Sequence, residues 1–248
     1  MKSYAILKNK HSNESAFIVG AGASLLNLYR DQPLHRIFEH VVIAVNSAIW
    51  IMPWGMPHPN LDIKAEIDSD PEKRYWISND ALCRAWNYFE YVKRCNATKI
   101  VRNSWKKYYK EIPDFLEFCP RETPEEEIDP EEEGLAYCSS IPSGIDLALQ
   151  MGCKKIFLLG VDQHFVPFNN MLISHFWEFN SKPLQPQCNP RSRANVSSQA
   201  RVFPVNLKAY HALANFADYK NAIIYNCNSG SKVKEFIKIS FQEALDMF

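Results

Sequence analysis

No Gly-Lys-Ser or Gly-Lys-Thr occurs in this chain, which excludes a Walker-type phosphate loop. Glycine is scarce, eight in 248 residues, and the one cluster, Gly20-Ala21-Gly22, lacks the third glycine of a dinucleotide fingerprint. Leu25 stands in that place, and the next apolar run ends on Asn46 rather than on an acid. Both departures argue against NAD or FAD. The seven cysteines (Cys83, Cys95, Cys119, Cys138, Cys153, Cys188 and Cys227) are an odd number and never fall in Cys-x-x-Cys spacing. With a lead-in as polar as MKSYAILKNKHSNES, they read as reduced thiols of a cytoplasmic protein. No apolar run approaches a membrane span; residues 43–57 come nearest and are broken by Asn46, Pro53, Gly55 and Pro57. Charge of one sign is also lacking, with 28 basic against 28 acidic residues. A general attraction for nucleic acid or anionic membrane is therefore not expected. Local clusters such as Lys106-Lys107 and Arg191 to Arg193 read as solvated surface.

What is present is a series of short apolar runs, each followed by small or polar residues. Ala16 to Val19 reads as a buried parallel strand that turns through Gly20, Gly22 and Ser24 into a helix starting near Leu25. Such a turn can leave backbone N–H groups facing an anion, so Gly20, Gly22 and Ser24 are candidate phosphate ligands. Val41 to Val45 is the next strand, and Asn46-Ser47 at its carboxyl end either contacts a nucleoside or caps a helix. Leu61 to Ile67 alternates as a strand ending in Asp68-Ser69-Asp70-Pro71. Asp68 is a candidate metal ligand there, whereas Asp70 suits a surface turn. Tyr4 to Leu7 is expected as an edge strand, Glu72 to Arg94 as a long helix with an aromatic stripe, and Thr98 to Arg102 as a strand.

Residues 120–134 carry eight acids among prolines and form an expected solvated loop. Ser143-Gly144 opens an expected helix that Gly152 ends, and Lys155 to Leu159 is the following buried strand. Gly160, Asp162 and His164 lie just beyond its carboxyl end, where ligands bind in open parallel sheets. Residues 163–205 are rich in Pro, Asn, Ser and Gln and predict a lid-like insertion, with His164, His175, Arg191, Arg193 and Arg201 in it. A helix over Asn206 to Tyr219, a strand over Ala222 to Tyr225, a polar turn with Asn228 and Ser231, and an amphipathic helix to Phe248 complete the chain. The expected fold is α/β: one Rossmann-like domain over 1–248, with an open, mostly parallel sheet flanked by helices.

Taken as an ordered set, Gly20-x-Gly22-x-Ser24-Leu25, Asn46, the stretch Ser143 to Asp162 and the turn Asn228 to Ser231 are similar to one superfamily. That superfamily joins MptE-like hydroxymethylpterin diphosphokinases with bacterial lipooligosaccharide sialyltransferases. The resemblance implies a nucleotide pocket of Gly20, Gly22, Ser24, Asn46, Ser47, Ser143, Gly144, Gly160, Asn228 and Ser231. In the sialyltransferases a lid histidine is the base and two lid tyrosines assist the departing phosphate. Here no tyrosine occurs between 163 and 205, and Arg201 stands near the expected base. Asp162, His164 and Arg201 are accordingly the catalytic candidates.

The expected activity is transfer from a nucleotide-activated sugar to a small-molecule or glycan acceptor. A Mg²⁺-dependent diphosphokinase using Asp68 is the alternative. A non-catalytic nucleotide-binding protein of viral or mobile-element origin is a third reading. No cofactor beyond the nucleotide or nucleotide-sugar donor is required by the first reading, Mg²⁺ belongs to the second, and a homo-oligomer is compatible with all three.

Overall fold

A computed structural model of the chain describes residues 2–25, 34–54, 70–80, 88–104, 112, 114–121, 127–130, 132–136, 139–168, 171–173, 175–176 and 196–248. The expected strand Leu61 to Ile67, with Asp68, lies outside these residues, as do Arg191 and Arg193. In chain order the strands are β1 (Lys2–Ser3), β2 (Ser15–Val19), β3 (Val41–Val45), β4 (Arg74–Ser78), β5 (Thr98–Arg102) and β6 (Leu116–Phe118). They continue with β7 (Lys155–Leu159), β8 (Val166–Phe168), β9 (Met171–Ile173), β10 (Ile223–Asn226) and β11 (Ile237–Lys238). The α-helices are α1 (Tyr88–Arg94), α2 (Ser140–Gln150), α3 (Val196–Tyr219) and α4 (Phe241–Leu245).

Nine strands form one sheet in the order β1-β6-β5-β4-β3-β2-β7-β10-β11, and every pairing in it is parallel. β8 and β9 make a separate antiparallel hairpin. A parallel sheet must be covered on both faces, and alternation along the strands divides the core accordingly. Ala16, Ile18, Ile43, Ile77, Ile156 and Leu158 face α2 and α3. Phe17, Val19, Ala44, Trp76, Phe157 and Leu159 face Trp50, Phe89 and Phe241 on the other side. On that side Phe157 lies between Phe17 and Tyr225, with ring centroids 5.0 and 5.2 Å away.

Several expected elements differ. Tyr4 to Leu7 is a 3₁₀ turn, because the Ser3 hydroxyl accepts the Ala5 N–H at 3.2 Å and curls the chain; the edge strand is Lys2–Ser3. The expected helix over Glu72 to Arg94 is instead strand β4 followed later by α1. In Arg74–Ser78 only Tyr75-Trp76-Ile77 is apolar, and a run that short carries no period that separates strand from helix. Asp70 is a turn residue as expected, its carboxylate accepting the Glu72 N–H at 2.9 Å. The expected terminal helix over Ser231 to Phe248 reduces to β11 and α4, because Ser240 and Glu243 form a capping box that starts the helix there. α3 begins at Val196, ten residues before Asn206, and carries Pro204 within it. Residues 196–205, expected within the insertion, are thus helical.

The centre of the sheet positions everything that follows. From β2 the chain builds outward through β3, β4, β5 and β6 on one side, and through β7, β10 and β11 on the other. The point where that order reverses, at the carboxyl ends of β2 and β7, is where open parallel sheets bind ligands.

Candidate functional site

The crevice at that switch point is lined by Ala21, Gly22, Val45, Asn46, Ile141, Gly160, Val161, Asp162, Gln163, His164 and His175. Parallel register sets Val19 beside Leu159, so the next residues of the two strands, Gly20 and Gly160, are forced together. Gly20 N–H donates to Leu159 O and Gly22 N–H to Gly160 O, each at 2.8 Å. A Cβ on Gly20 would lie 2.6 Å from Gly160 O, and one on Gly22 would lie 2.5 Å from the same atom. Gly160 also sits at φ +63°, where a side chain is strained. The glycines let two loops touch, and their amides are engaged within the chain.

Asp162 completes this arrangement. It is 3% exposed, and its Oδ2 accepts the Ser24 N–H at 2.9 Å. Its Oδ1 accepts the Ser24 hydroxyl and, at 2.8 Å, Asn228 Nδ2. The carboxylate thus occupies the donors that the sequence offered to phosphate at Ser24. Behind it, Ser231 Oγ lies 2.8 Å from Val161 O, Asn226 Nδ2 donates to the same carbonyl at 3.2 Å, and Lys232 N–H donates to Asp162 O at 2.9 Å. Asn228 and Ser231 therefore fix the loop that leaves β7.

Across the crevice, Asn46 ends β3 at φ +51°, and Trp76 Nε1 donates to its carbonyl at 3.0 Å. Ser140 Oγ accepts the Asn79 N–H at 2.8 Å, so its own hydrogen goes to Asn46 Oδ1, 3.2 Å away. That chain of bonds fixes the amide and leaves Asn46 Nδ2 as a donor to the crevice. Ser47, beside it, is buried. Ser143 and Gly144 are not brought to the crevice. They lie a turn inside α2, where the Ser143 hydroxyl donates to Ala136 O at 2.5 Å and Gly144 packs on Ile18, Ile77 and Val45. Ile141, near the start of α2, reaches the crevice instead and closes on Gly20.

His164 Nδ1 lies 2.9 Å from the backbone carbonyl of Asp162. A carbonyl only accepts, so Nδ1 carries the hydrogen, and in the neutral ring Nε2 keeps its lone pair. Gln163, at φ +53°, donates to Tyr210 Oη at 3.1 Å and accepts from Asn206 Nδ2 at 3.2 Å; these partners sit one turn apart on α3. After the β8–β9 hairpin the chain returns to β2: His175 bridges to Gly22, and Phe176 N–H donates to Ala21 O at 2.9 Å. Gln163 carried no sequence signal as a site residue, and His175, expected as one of the lid residues, is placed in the crevice only by this return. Arg201 lies in α3. Among the described residues no group of three or more His, Cys, Asp or Glu is placed to hold a metal ion.

No protein-family model matches the chain, and no curated protein matches it. Among solved structures it is similar to the MAf glycosyltransferase from Magnetospirillum magneticum AMB-1, with a TM-score of 0.53 and 14% sequence identity. The match covers 97% of this chain and 38% of that one. What the two share is the fold. This chain has the open, parallel Rossmann-like α/β architecture, and it spans little more than a third of that glycosyltransferase. Among the described residues no helix is long and apolar enough to cross a membrane.

Proposed function

We propose that this Rossmann-like crevice binds a nucleotide-activated sugar and that the chain transfers its glycosyl group to a hydroxyl of a small-molecule or glycan acceptor. Sialyltransferase-like transfer is the narrower form of the reading. The observation that carries it is the pairing of a fixed amide donor, Asn46 Nδ2, with a tautomer-fixed imidazole acceptor, His164 Nε2, in one crevice at the switch point. The fold shared with a protein named as a glycosyltransferase supports it.

In the reaction, His164 Nε2 takes the acceptor proton while the acceptor oxygen bonds to the anomeric carbon. The bond from that carbon to the donor phosphate oxygen breaks, and its electron pair leaves with the nucleotide. Asn46 donates to the bound nucleotide. Asp162 is a positioning residue, since its oxygens are engaged by Ser24 and Asn228 and its carbonyl orients His164. Arg201 on α3 is the candidate for stabilising charge on the departing phosphate.

Thermal-shift measurements against CMP, UDP, GDP and ATP, each with and without Mg²⁺, test the reading. A cytidine or uridine nucleotide is expected to raise the melting temperature without metal. Flat curves across the panel would overturn nucleotide use. A response confined to ATP with Mg²⁺ would favour the diphosphokinase, with Asp68 as a ligand. Retention of the biological role by a Gly22→Val variant would favour a protein that does not use the crevice at all.

A further inference from the structure

Resting on the reading of His164 as the base, we infer that Gln163 is a positioning residue, clamped by α3 so that the His164 ring keeps its hydrogen on Nδ1 and its lone pair on Nε2. The backbone between the crevice loop and that ring is the starting observation. Gln163 stands at φ +53°, in the left-handed region that a residue with a Cβ occupies at a cost. Glycine tolerates it freely, and asparagine or aspartate can offset it with a short side chain that bonds the local backbone. Glutamine does neither, so contacts outside the turn must hold this conformation.

Those contacts are the two bonds of its side chain. Gln163 Nε2 donates to Tyr210 Oη at 3.1 Å, and its Oε1 accepts from Asn206 Nδ2 at 3.2 Å. Turning both amides end for end would reverse the bonds but leave them in place. Asn206 and Tyr210 are 3% and 0% exposed, and one turn apart they share a face of α3. The Tyr210 ring packs edge-on against Phe236, with centroids 5.6 Å apart. Asn206 Oδ1 is buried with no hydrogen-bond partner among the described residues. A buried amide left half satisfied works against stability, so its bond to Gln163 accounts for Asn206 better than any gain to the core does. On the other side of the turn, Asp162 O is fixed separately by the Lys232 N–H at 2.9 Å, and it lies 2.9 Å from His164 Nδ1. The Nδ1 bond spans a single residue, Gln163, and its geometry follows that residue's dihedrals. If Gln163 relaxed to a negative φ, the ring would swing away from a carbonyl that Lys232 keeps in place. The bond that sets the tautomer would be gone. Hydrogen would then reach Nε2, the nitrogen that has to accept the hydroxyl proton. Helix α3 thus decides which nitrogen is basic.

The test reads the ring itself in the full chain without ligand, by long-range ¹H–¹⁵N NMR in mildly alkaline buffer, where the neutral ring is recorded. The His164 signal is assigned by its loss in His164→Gln. The wild type is expected to carry its hydrogen on Nδ1. Gln163→Ala should turn Nε2–H from the minor into the major tautomer. Asn206→Ala, which leaves the loop's own sequence untouched, should shift the population the same way. Gln163→Gly, free to adopt a positive φ, should recover part of the Nδ1 form. Thermal unfolding of the same variants separates positioning from general support. Asn206→Ala should melt close to the wild type, because it removes the unpaired Oδ1 together with the bond. Hydrogen on Nε2 in the wild type overturns the inference, as does an Nδ1 pattern that neither Gln163→Ala nor Asn206→Ala changes. A ring change that comes only with a large loss of stability, and that Gln163→Gly does not relieve, marks general support and overturns it too. No nucleotide takes part, so the clamp can stand while the thermal-shift panel stays flat; in that case the glycosyl-transfer reading alone falls.

Discussion

Two buried aspartates serve the molecule in opposite ways. Asp146, on α2, is wholly enclosed: it accepts the Ala136 N–H at 2.8 Å and Gln150 Nε2 at 2.9 Å, with Arg121 Nε 3.8 Å away. Arg121 is buried too, donating to Gly134 O at 3.0 Å and Asp129 O at 3.2 Å and lying over the Phe216 ring. Tyr4 Oη donates to Gly134 O at 2.9 Å, tying the chain's start to the same knot. This knot closes the neck of the acidic stretch, where Pro120 bridges to Leu135. Asp162, by contrast, has no basic side chain among its hydrogen-bond partners within the described residues and borders a crevice. One carboxylate fastens a loop to the core; the other fastens two strand ends together so that histidines beside it have fixed places.

The sharpest way to break the comparison is Asp146→Ala, which strands the buried Arg121. It should cost about 3–5 kcal/mol in urea unfolding, with little left for ligand studies. His164→Ala, next to the other carboxylate, should leave stability within about 0.5 kcal/mol. It should lower glycosyl transfer by roughly 10²–10⁴-fold in a single-turnover assay, with nucleotide affinity retained. Gly22→Ala places a Cβ 2.5 Å from Gly160 O and 2.7 Å from Asp162 Oδ2. It should cost about 1–3 kcal/mol in thermal unfolding and weaken ligand binding as well. Gly144→Ala, whose nearest contact is an ordinary 3.4 Å, should do neither.

The smallest effect is one of pH. Burial raises the Asp146 pKa above the ordinary carboxylate value despite the opposing effect of Arg121. The folded state therefore holds that proton more tightly than the unfolded chain does. From Asp146, stability should fall as pH rises through the window between about 4, the unfolded value, and the raised folded value. Asp146→Asn should flatten that part of a melting-temperature profile.

Much of the frame was legible because buried parallel strands are apolar runs that end abruptly. β2, β3, β5, β7 and most of β10 could be read this way, as could the glycines and Asn46 at their ends. β4 was not, because Tyr75-Trp76-Ile77 is too short to show a period and its neighbours suit a helix. Asp162 was legible as a polar residue past a strand, but its bonds to Ser24 and Asn228 span 138 and 66 positions, beyond any local pattern. The same distance hid His175, whose place depends on a hairpin folding back to Gly22. The Ser143-Gly144 pair suggests a helix start, whereas the helix begins one turn earlier, at Ser140.

Gly20 and Gly160 each stand where the other's side chain would go: a Cβ on either meets the other's carbonyl oxygen at 2.6 or 2.8 Å. Neither position can therefore drift by itself, and exchanging both at once makes the collision worse. A lineage carrying this sheet is held at these two sites by mutual obstruction, independently of any ligand, so their persistence in descendants would testify to architecture before it testified to chemistry.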